Sequence, residues 1–198
     1  MGLEITYITG QTYLSEEELE GLKIPSVTTR GELDEFEQLN IEKAIEGTLR
    51  LKVKPEQLFT EKFILDLHKK MYSDVWKWAG KIRKSEKTIG IKNYKIAVEL
   101  KQLLDDGLYW CNNKTYTNDE IAIRFKHRLV SIHCFPNGNG RHSRLMADLI
   151  LEKLYQTKYF TWSGGNLVKA NEIREKYIKA LQQADNQNYE PLIVFAKS

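Results

Sequence analysis

Residues 132–145 read Ile132-His133-Cys134-Phe135-Pro136-Asn137-Gly138-Asn139-Gly140-Arg141-His142-Ser143-Arg144-Leu145. Pro136 and the glycines Gly138 and Gly140 stop any helix that precedes them. The stretch is therefore a helix end, a tight turn and a helix start, with His133 before the turn and Arg141 and Arg144 after it. Successive backbone N–H groups in a glycine-containing turn that runs into a helix N-terminus make a concavity suited to an anion, phosphate above all. The first turn of the following helix holds two arginines and no acid, against the preference of the positive end of a helix dipole for Asp or Glu. Arginines three apart share a helix face, where their forks can grip a polyphosphate whose charge offsets their repulsion. A plainer account stays open at this point: Arg144 pairs with Asp148 one turn later, and Asn-Gly-Asn-Gly is an ordinary turn.

Helical spacing surrounds this turn. Thr117 and Glu120 form a capping-box pattern before Ile121, Phe125, Leu129 and Ile132, which predicts a helix from near Asn118 to near His133. Downstream, Leu145, Leu149, Ile150 and Leu154 predict a new helix over 141–155. Further helices are predicted over 32–50, 60–72 and 98–111, and two closing ones over 167–184 and 189–196 after the Gly164-Gly165 break. In the first of these, Leu33, Phe36, Leu39, Ile41, Ala44, Ile45 and Leu49 supply the apolar period. The stretch from Trp76 to Val98 differs: Thr88-Ile89-Gly90-Ile91 and Tyr94-Lys95-Ile96-Ala97-Val98 flank Lys92-Asn93, the pattern of a small hairpin. Residues 1–35, with Gly2, Gly10, Gly21, Pro25 and Gly31, read as an irregular N-terminal arm, with a single helical turn around 15–22, before a domain over 36–198. The expected fold is mainly α: a helical bundle with a small β-hairpin flap at about 86–98 and a helix-loop-helix anion-binding motif at 133–144.

A length of 198 residues suits one domain with an arm. A mean hydropathy of -0.50, with no apolar run near the roughly 18 residues that span a bilayer, argues against a membrane protein. Thirty basic residues against 27 acidic ones give a net charge of +3, and with the signs interspersed nucleic acid is not implied as a partner. Cys111 and Cys134 are too few for a disulfide framework or a zinc cluster, and the N-terminus lacks a secretory signal, so reduced thiols and a cytoplasmic location are expected. Cys134 beside His133 reads as a small buried residue rather than a thiol nucleophile. His68, His127 and His142 have no metal-ligand partner at a recognisable spacing.

Together, His133, Phe135, Gly138, Asn139, Gly140, Arg141 and Arg144 match the Fic motif H-x-F-x-D/E-G-N-G-R-x-x-R, with one departure at Asn137. The surrounding order resembles a Fic domain over about residues 36–198: helices, Trp76-Lys77-Trp78-Ala79-Gly80 with a flap, then the helix-loop-helix. The whole chain is similar to the small bacterial Fic proteins called mobile mystery protein B. This resemblance implies transfer of AMP from ATP to a Ser, Thr or Tyr hydroxyl of a target protein, with release of pyrophosphate. It makes His133 the general base and Phe135 an apolar anchor. Gly138, Asn139 and Gly140 become the nest around the α- and β-phosphates, with Arg141 on the β-phosphate side and Arg144 on the γ-phosphate.

A glycine at position 140 fits the AMP-transferring branch, because the phosphorylating Doc branch has lysine there. The family's acid at position 137 ligates magnesium, so Asn137 implies weaker metal binding or another metal such as manganese. The flap residues Thr88, Ile89, Gly90 and Ile91 are implied to dock an extended target segment as an added strand. An inhibitory helix of pattern S/T-x-x-x-E-G/N is matched in part by Glu46-Gly47, with Glu42 in place of the hydroxyl residue, which makes Glu46 a candidate inhibitory residue. Two other functions fit the same residues: a nucleotide-binding or interaction module with weak or no transfer, and removal of AMP from a modified target.

Overall fold

Side-chain caps set the starts of four helices. Ser15 with Glu18, and Thr29 with Glu32, form reciprocal capping boxes, while Thr60 and Thr117 accept from the backbone N–H groups of Phe63 and Glu120; each such cap stabilises its helix by about 1 kcal/mol. The computed structural model describes residues 13–163 and 170–198. In chain order these form α1 (Glu16–Leu19), α2 (Arg30–Leu49), α3 (Pro55–Leu58), α4 (Glu61–Tyr72), α5 (Ile96–Asn113), α6 (Asn118–Ile132), α7 (Asn139–Leu149), α8 (Ala170–Asp185) and α9 (Glu190–Lys197). A π turn, Ile150–Leu154, extends α7. The Gly164-Gly165 break and the predicted helix start at 167–169 lie outside the described residues, as do residues 1–12.

The α6–α7 pair forms the centre, with α5 against α6, α4 against α7, α2 against α4, and α8 against α9. Ile64 and Met71 of α4, Phe125 of α6, Phe135 of the turn and Met146 of α7 are all fully buried between them. No helix among the described residues is long and apolar enough to cross a membrane.

On α2 the buried stripe differs from the apolar one. Leu33, Glu37, Asn40, Ile41, Ala44 and Thr48 face inward, while Phe36, Leu39, Ile45 and Leu49 are exposed. The inward polar residues have fixed partners: Asn40 donates from Nδ2 to the Lys70 carbonyl at 2.9 Å and accepts from the Asp74 N–H at 2.8 Å. A helix lying on one neighbour buries one narrow stripe, and hydrogen-bonded polar groups can belong to it.

The predicted hairpin is absent. Among the described residues there is no strand; the chain from 81 to 92 is an irregular loop that ends in a short 3-10 turn, Asn93–Lys95. Ile96, Ala97 and Val98, assigned from sequence to the second strand, begin α5. The reason is visible in the loop's carbonyls, which side chains satisfy in place of a strand partner. Arg83 donates from Nη1 to the Ser85 carbonyl at 2.8 Å and from Nη2 to the Ile91 carbonyl, and Asn93 donates from Nδ2 to the Lys84 carbonyl.

The described part of the N-terminal arm packs against this region. Lys23 donates its backbone N–H to the Val75 carbonyl at 2.8 Å, Trp78 donates from Nε1 to the Glu18 carbonyl at 3.0 Å, and an isolated bridge joins Leu22 to Trp76. Glu18 accepts from Ser85 Oγ at 2.6 Å and pairs with Lys87. Burial pushes the Glu18 carboxyl up, but Lys87, Ser85 and the Ser15 N–H together outweigh it and leave it below its usual value. The arm and the loop thus hold each other.

Candidate active site

The turn between α6 and α7 is built from its own residues. His133 caps α6 in the left-handed region, at φ 58. Asn139 then clasps the turn from both sides: its Oδ1 accepts from the Phe135 N–H at 2.9 Å and its Nδ2 donates to the Phe135 carbonyl at 2.7 Å. Gly138 sits at φ +78, and a Cβ there would lie 2.5 Å from the Tyr72 ring, so both the conformation and the contact demand glycine. Gly140, in the first turn of α7, has nothing within 4 Å of the place a Cβ would take.

Two histidines that the sequence pattern left without a role support the turn from below. His68 stacks on Phe135 with ring centroids 3.7 Å apart. Its Nδ1 accepts from the Gly80 N–H at 3.0 Å, which assigns the proton to Nε2, 3.1 Å from the Asn137 carbonyl. Burial, then neighbouring His142, holds His68 well below the usual histidine range, and burial brings His142 down to about 3. His142 lies 3.1 Å from the Ile64 carbonyl. Both are neutral supports, invisible to a search for metal-ligand spacing.

A cavity of about 630 Å³ opens over the turn. Its lining brings together His133, Asn137, Gly138, Asn139, Gly140, Arg141 and Arg144, with Ile89 from the loop, Arg30 and Asp34 from α2, and Tyr177, Ile178 and Leu181 from α8 as an apolar wall. His133 is 4% exposed; burial, then the Arg83 guanidinium, brings its imidazole down to about 4, so it is neutral and able to accept a proton at pH 7. Arg144 does not pair with Asp148. That carboxylate accepts from Trp162 Nε1 at 3.0 Å and from the Phe160 N–H at 3.2 Å, and burial pushes it up to about 7.

Arg141 pairs with Glu37 of α2 at 2.5 Å. Glu37 is fully buried and also accepts from Trp76 Nε1 at 2.7 Å. Sequence reading missed this carboxylate, which shares the inward stripe of α2 with Leu33 and Ala44 and could have been found only by including polar residues in that stripe. Glu46, the candidate inhibitory residue, is exposed toward the other end of α2, away from the cavity lining.

The loop reaches the histidine from the opposite side. Arg83 is 3% exposed, and its Nε donates to the His133 carbonyl at 2.6 Å while its backbone N–H donates to the Cys134 carbonyl at 2.9 Å. Gly90, at φ +102, lies against the histidine: a Cβ there would be 2.4 Å from the His133 Cβ. Thr88 and Ile89 are both exposed, and Ile89 lines the cavity. Cys134 is fully buried and burial pushes its thiol up to about 12, which removes it as a thiolate nucleophile.

Position 137 offers a metal an amide oxygen in place of a carboxylate. Asn137 turns its Oδ1 onto the Gly138 N–H at 2.6 Å and its main-chain oxygen onto His68, and no group of three or more His, Cys, Asp or Glu among the described residues could hold a metal ion. A hard divalent cation prefers carboxylate oxygens that are open to it.

Residues 58–151 match the family described as the Fic/DOC family. Among solved structures, Fic-1 from C. elegans is similar at a TM-score of 0.65 and 24% identity, over 90% of this chain and 51% of that one, so this chain spans about half its length. The N-terminal Fic domain of a putative cell filamentation protein from Bartonella quintana, solved with bound ADP, has a TM-score of 0.65 at 18% identity, over 87% of this chain and 86% of that one. BepC from Bartonella tribocorum, solved with bound AMPPNP, has a TM-score of 0.63 at 20% identity, over 96% and 93%.

Proposed function

This chain carries a Fic/DOC-family domain over residues 58–151, and on that premise we propose that it is a nucleotidyltransferase that moves AMP from ATP onto a Ser, Thr or Tyr hydroxyl of a target protein. The observation that carries the reading is one cavity holding a buried neutral imidazole, a turn of backbone donors and two arginines. The similar structures solved with ADP and AMPPNP support a nucleotide as its ligand.

The chemistry is an exchange of two P–O bonds. The target hydroxyl oxygen attacks the α-phosphorus, the bond from that phosphorus to the α–β bridging oxygen breaks, His133 takes the hydroxyl proton, and pyrophosphate leaves. Negative charge that develops on the leaving group falls toward Arg141 and Arg144 and the N-terminus of α7. Burial, and Arg83 beside it, make His133 a weak base in the empty cavity; the charge of a bound triphosphate favours the imidazolium and strengthens it. The opening at Gly140 leaves room for phosphate against the backbone. Magnesium enters this reading as the counter-ion of ATP, without a carboxylate of this chain at position 137.

The target segment docks along Thr88, Ile89, Gly90 and Ile91, which brings its hydroxyl next to His133. Because this segment is a loop, docking relies on its rim and not on a preformed strand edge. Incubation with lysate and ATP labelled at the α- or γ-phosphate, in magnesium or manganese, tests the reading. Transfer of α-label by the wild type and its loss in His133→Ala is the expected result. Transfer of γ-label overturns it. ATP binding without transfer favours the second reading, a nucleotide-binding module, which the inward turn of the Asn137 amide supports.

A further inference from the structure

The loop at 81–95 carries more charge than its own bonds use. Between these positions stand six basic residues and one acid, Glu86, a net charge of +5 where the whole chain has +3. Two of the cations are committed: Arg83 to carbonyls of the loop and of His133, and Lys87, its side chain nearly buried, to Glu18. Lys81, Lys84, Lys92 and Lys95 are exposed and form no ion pair among the described residues. Glu86 pairs with none of them; its Oε1 accepts from the Asn93 N–H at 3.3 Å, within the loop.

Two side-chain bonds draw the arms of the loop together. Arg83 donates to the Ile91 carbonyl and Asn93 to the Lys84 carbonyl, which brings Lys84 and Lys92 onto neighbouring arms on either side of the tip at 88–90. That tip borders the cavity, since Ile89 lines it and Gly90 lies against His133. Next to the lysines stand apolar side chains open to solvent: Tyr94 is 74% exposed and Val98, one helical turn on, 69%.

The chain itself shows what this loop accepts. Residues 15–20 of the arm read Ser-Glu-Glu-Glu-Leu-Glu and lie against the loop through polar contacts. Glu18 pairs with Lys87 and accepts from Ser85 Oγ at 2.6 Å, while Lys87 also donates to the Tyr13 carbonyl at 2.7 Å. One acidic segment is thus already docked, and the exposed lysines remain for a second. The loop's charge also reaches the active site: after burial, Arg83 and then Lys87 bring the His133 imidazole down. An acidic segment laid on the loop acts in the opposite sense and makes His133 the stronger base.

We propose that the loop selects its target by charge: the segment that enters beside His133 is acidic around its hydroxyl residue, with carboxylates against Lys84 and Lys92 and an apolar side chain against Ile89 or Tyr94. The proposal deepens the target-docking reading above and rests on it. Each exposed pair contributes little, about 0.2–1 kcal/mol, so the preference comes from several together and weakens in salt.

Fluorescence anisotropy of the full chain with three labelled peptides tests this; they share the core Leu-Thr-Val and carry Glu, Gln or Lys on both sides. The Glu peptide is expected to bind about tenfold more tightly than the Gln peptide, with the Lys peptide weakest, and the spread should narrow between about 50 and 300 mM NaCl. Lys84→Glu combined with Lys92→Glu is expected to reverse the order, so that the Lys peptide binds best. Both lysines are exposed, and a reversal is an outcome that a merely damaged fold does not produce. Equal binding of the Glu and Gln peptides, no measurable binding of the Glu peptide at about 1 mM, or an unchanged order in the double variant overturns the proposal. So does an oligouridine RNA that binds the wild type as tightly as the Glu peptide, which would make this face a nucleic-acid site. The two readings fail separately. Preferential binding of the Glu peptide with no α-label transfer to any protein sinks the transferase and leaves the acidic docking face, whereas α-label transfer with no preference among the peptides does the reverse.

Discussion

The turn at 134–141 and the loop at 81–95 are both irregular, both touch His133, and both border the same cavity, yet they are held in opposite ways. In the turn, Asn139 closes both polar groups of Phe135, and Asn137 closes the N–H of Gly138, all within a few residues. In the loop, Arg83 joins Ile91 within the loop, but the anchors come from far along the chain: Arg83 also joins His133, and Glu18 of the arm joins Ser85 and Lys87. Local closure makes a structure that its own sequence specifies. Distant closure makes one that exists only when the rest of the fold is in place.

Acid gives the largest expected effect, because protons attack what lies under the turn. His68, His127, His133 and His142 are all held below the ordinary histidine value, burial being the first cause for each. Between pH 6.5 and those native values the unfolded chain binds protons that the folded chain refuses, so the stability they carry is full above about pH 6.5. It is lost as pH falls toward about 4 for His133 and about 3 for His142. Asp148 acts with the opposite sign: its native value of about 7 lies above the unfolded one, so the folded state gains as pH falls below 7. Several buried histidines outweigh one carboxyl, and a net loss on the order of 5 kcal/mol between pH 7 and pH 4 is expected in urea unfolding. Equal stability at the two pH values would contradict it. Hydrogen exchange, corrected for intrinsic rate, should show residues 134–142 opening before 84–92, since the buried histidines support the turn while Arg83 of the loop stays charged.

Gly138→Ala tests local closure directly. A methyl group at φ +78 costs about 1 kcal/mol by itself, and here it also meets the fully buried Tyr72 ring at 2.5 Å. A loss of about 3 kcal/mol in urea unfolding is expected. Gly138→Ala combined with Tyr72→Leu should recover part of it; a single variant as stable as wild type would mean that the turn is not fixed as described.

Arg83→Ala probes the distant closure. Three loop and turn carbonyls lose their donor, and a stability loss of about 2 kcal/mol is expected, since loop carbonyls can recruit water that buried ones cannot. Activity should suffer more than stability, because the loop positions the target beside His133. Raised KM for the target protein with nucleotide affinity unchanged is the expected signature, with partial rescue by Arg83→Lys. Equal losses in target and nucleotide binding would show that Arg83 supports the whole cavity and not the loop.

These contrasts also explain how far the sequence could be read. The start of α6 at Asn118, its end at His133 and the turn that follows were legible because Thr117, Pro136 and the glycines act on their immediate neighbours. The grouping of His133 with Arg141 and Arg144 around one cavity follows from the same short stretch. The loop was misread because Thr88 to Ile91 and Tyr94 to Val98 have strand-like composition, and nothing local reveals that Arg83 and Asn93 will take the carbonyls a partner strand needs. Glu37 was missed for a related reason. A buried carboxylate on a helix looks like surface until Trp76 and Arg141 are brought to it by the fold.

The smallest expected effect separates the two glycines within the turn. Gly138 is required by packing, whereas Gly140 is helical and has nothing within 4 Å of an added Cβ. Alanine is favoured over glycine inside a helix, so Gly140→Ala should stabilise the protein by about 0.5–1 kcal/mol, which raises Tm by roughly 1–4 °C in a chain of this size. The same methyl group projects into space that lies within the cavity lining, where the phosphates of a nucleotide approach the backbone. ATP affinity should therefore fall by about tenfold or more while the melting temperature rises. A variant that is more stable and binds ATP as well as wild type would leave this glycine without a reason, and would move the phosphate site away from the first turn of α7.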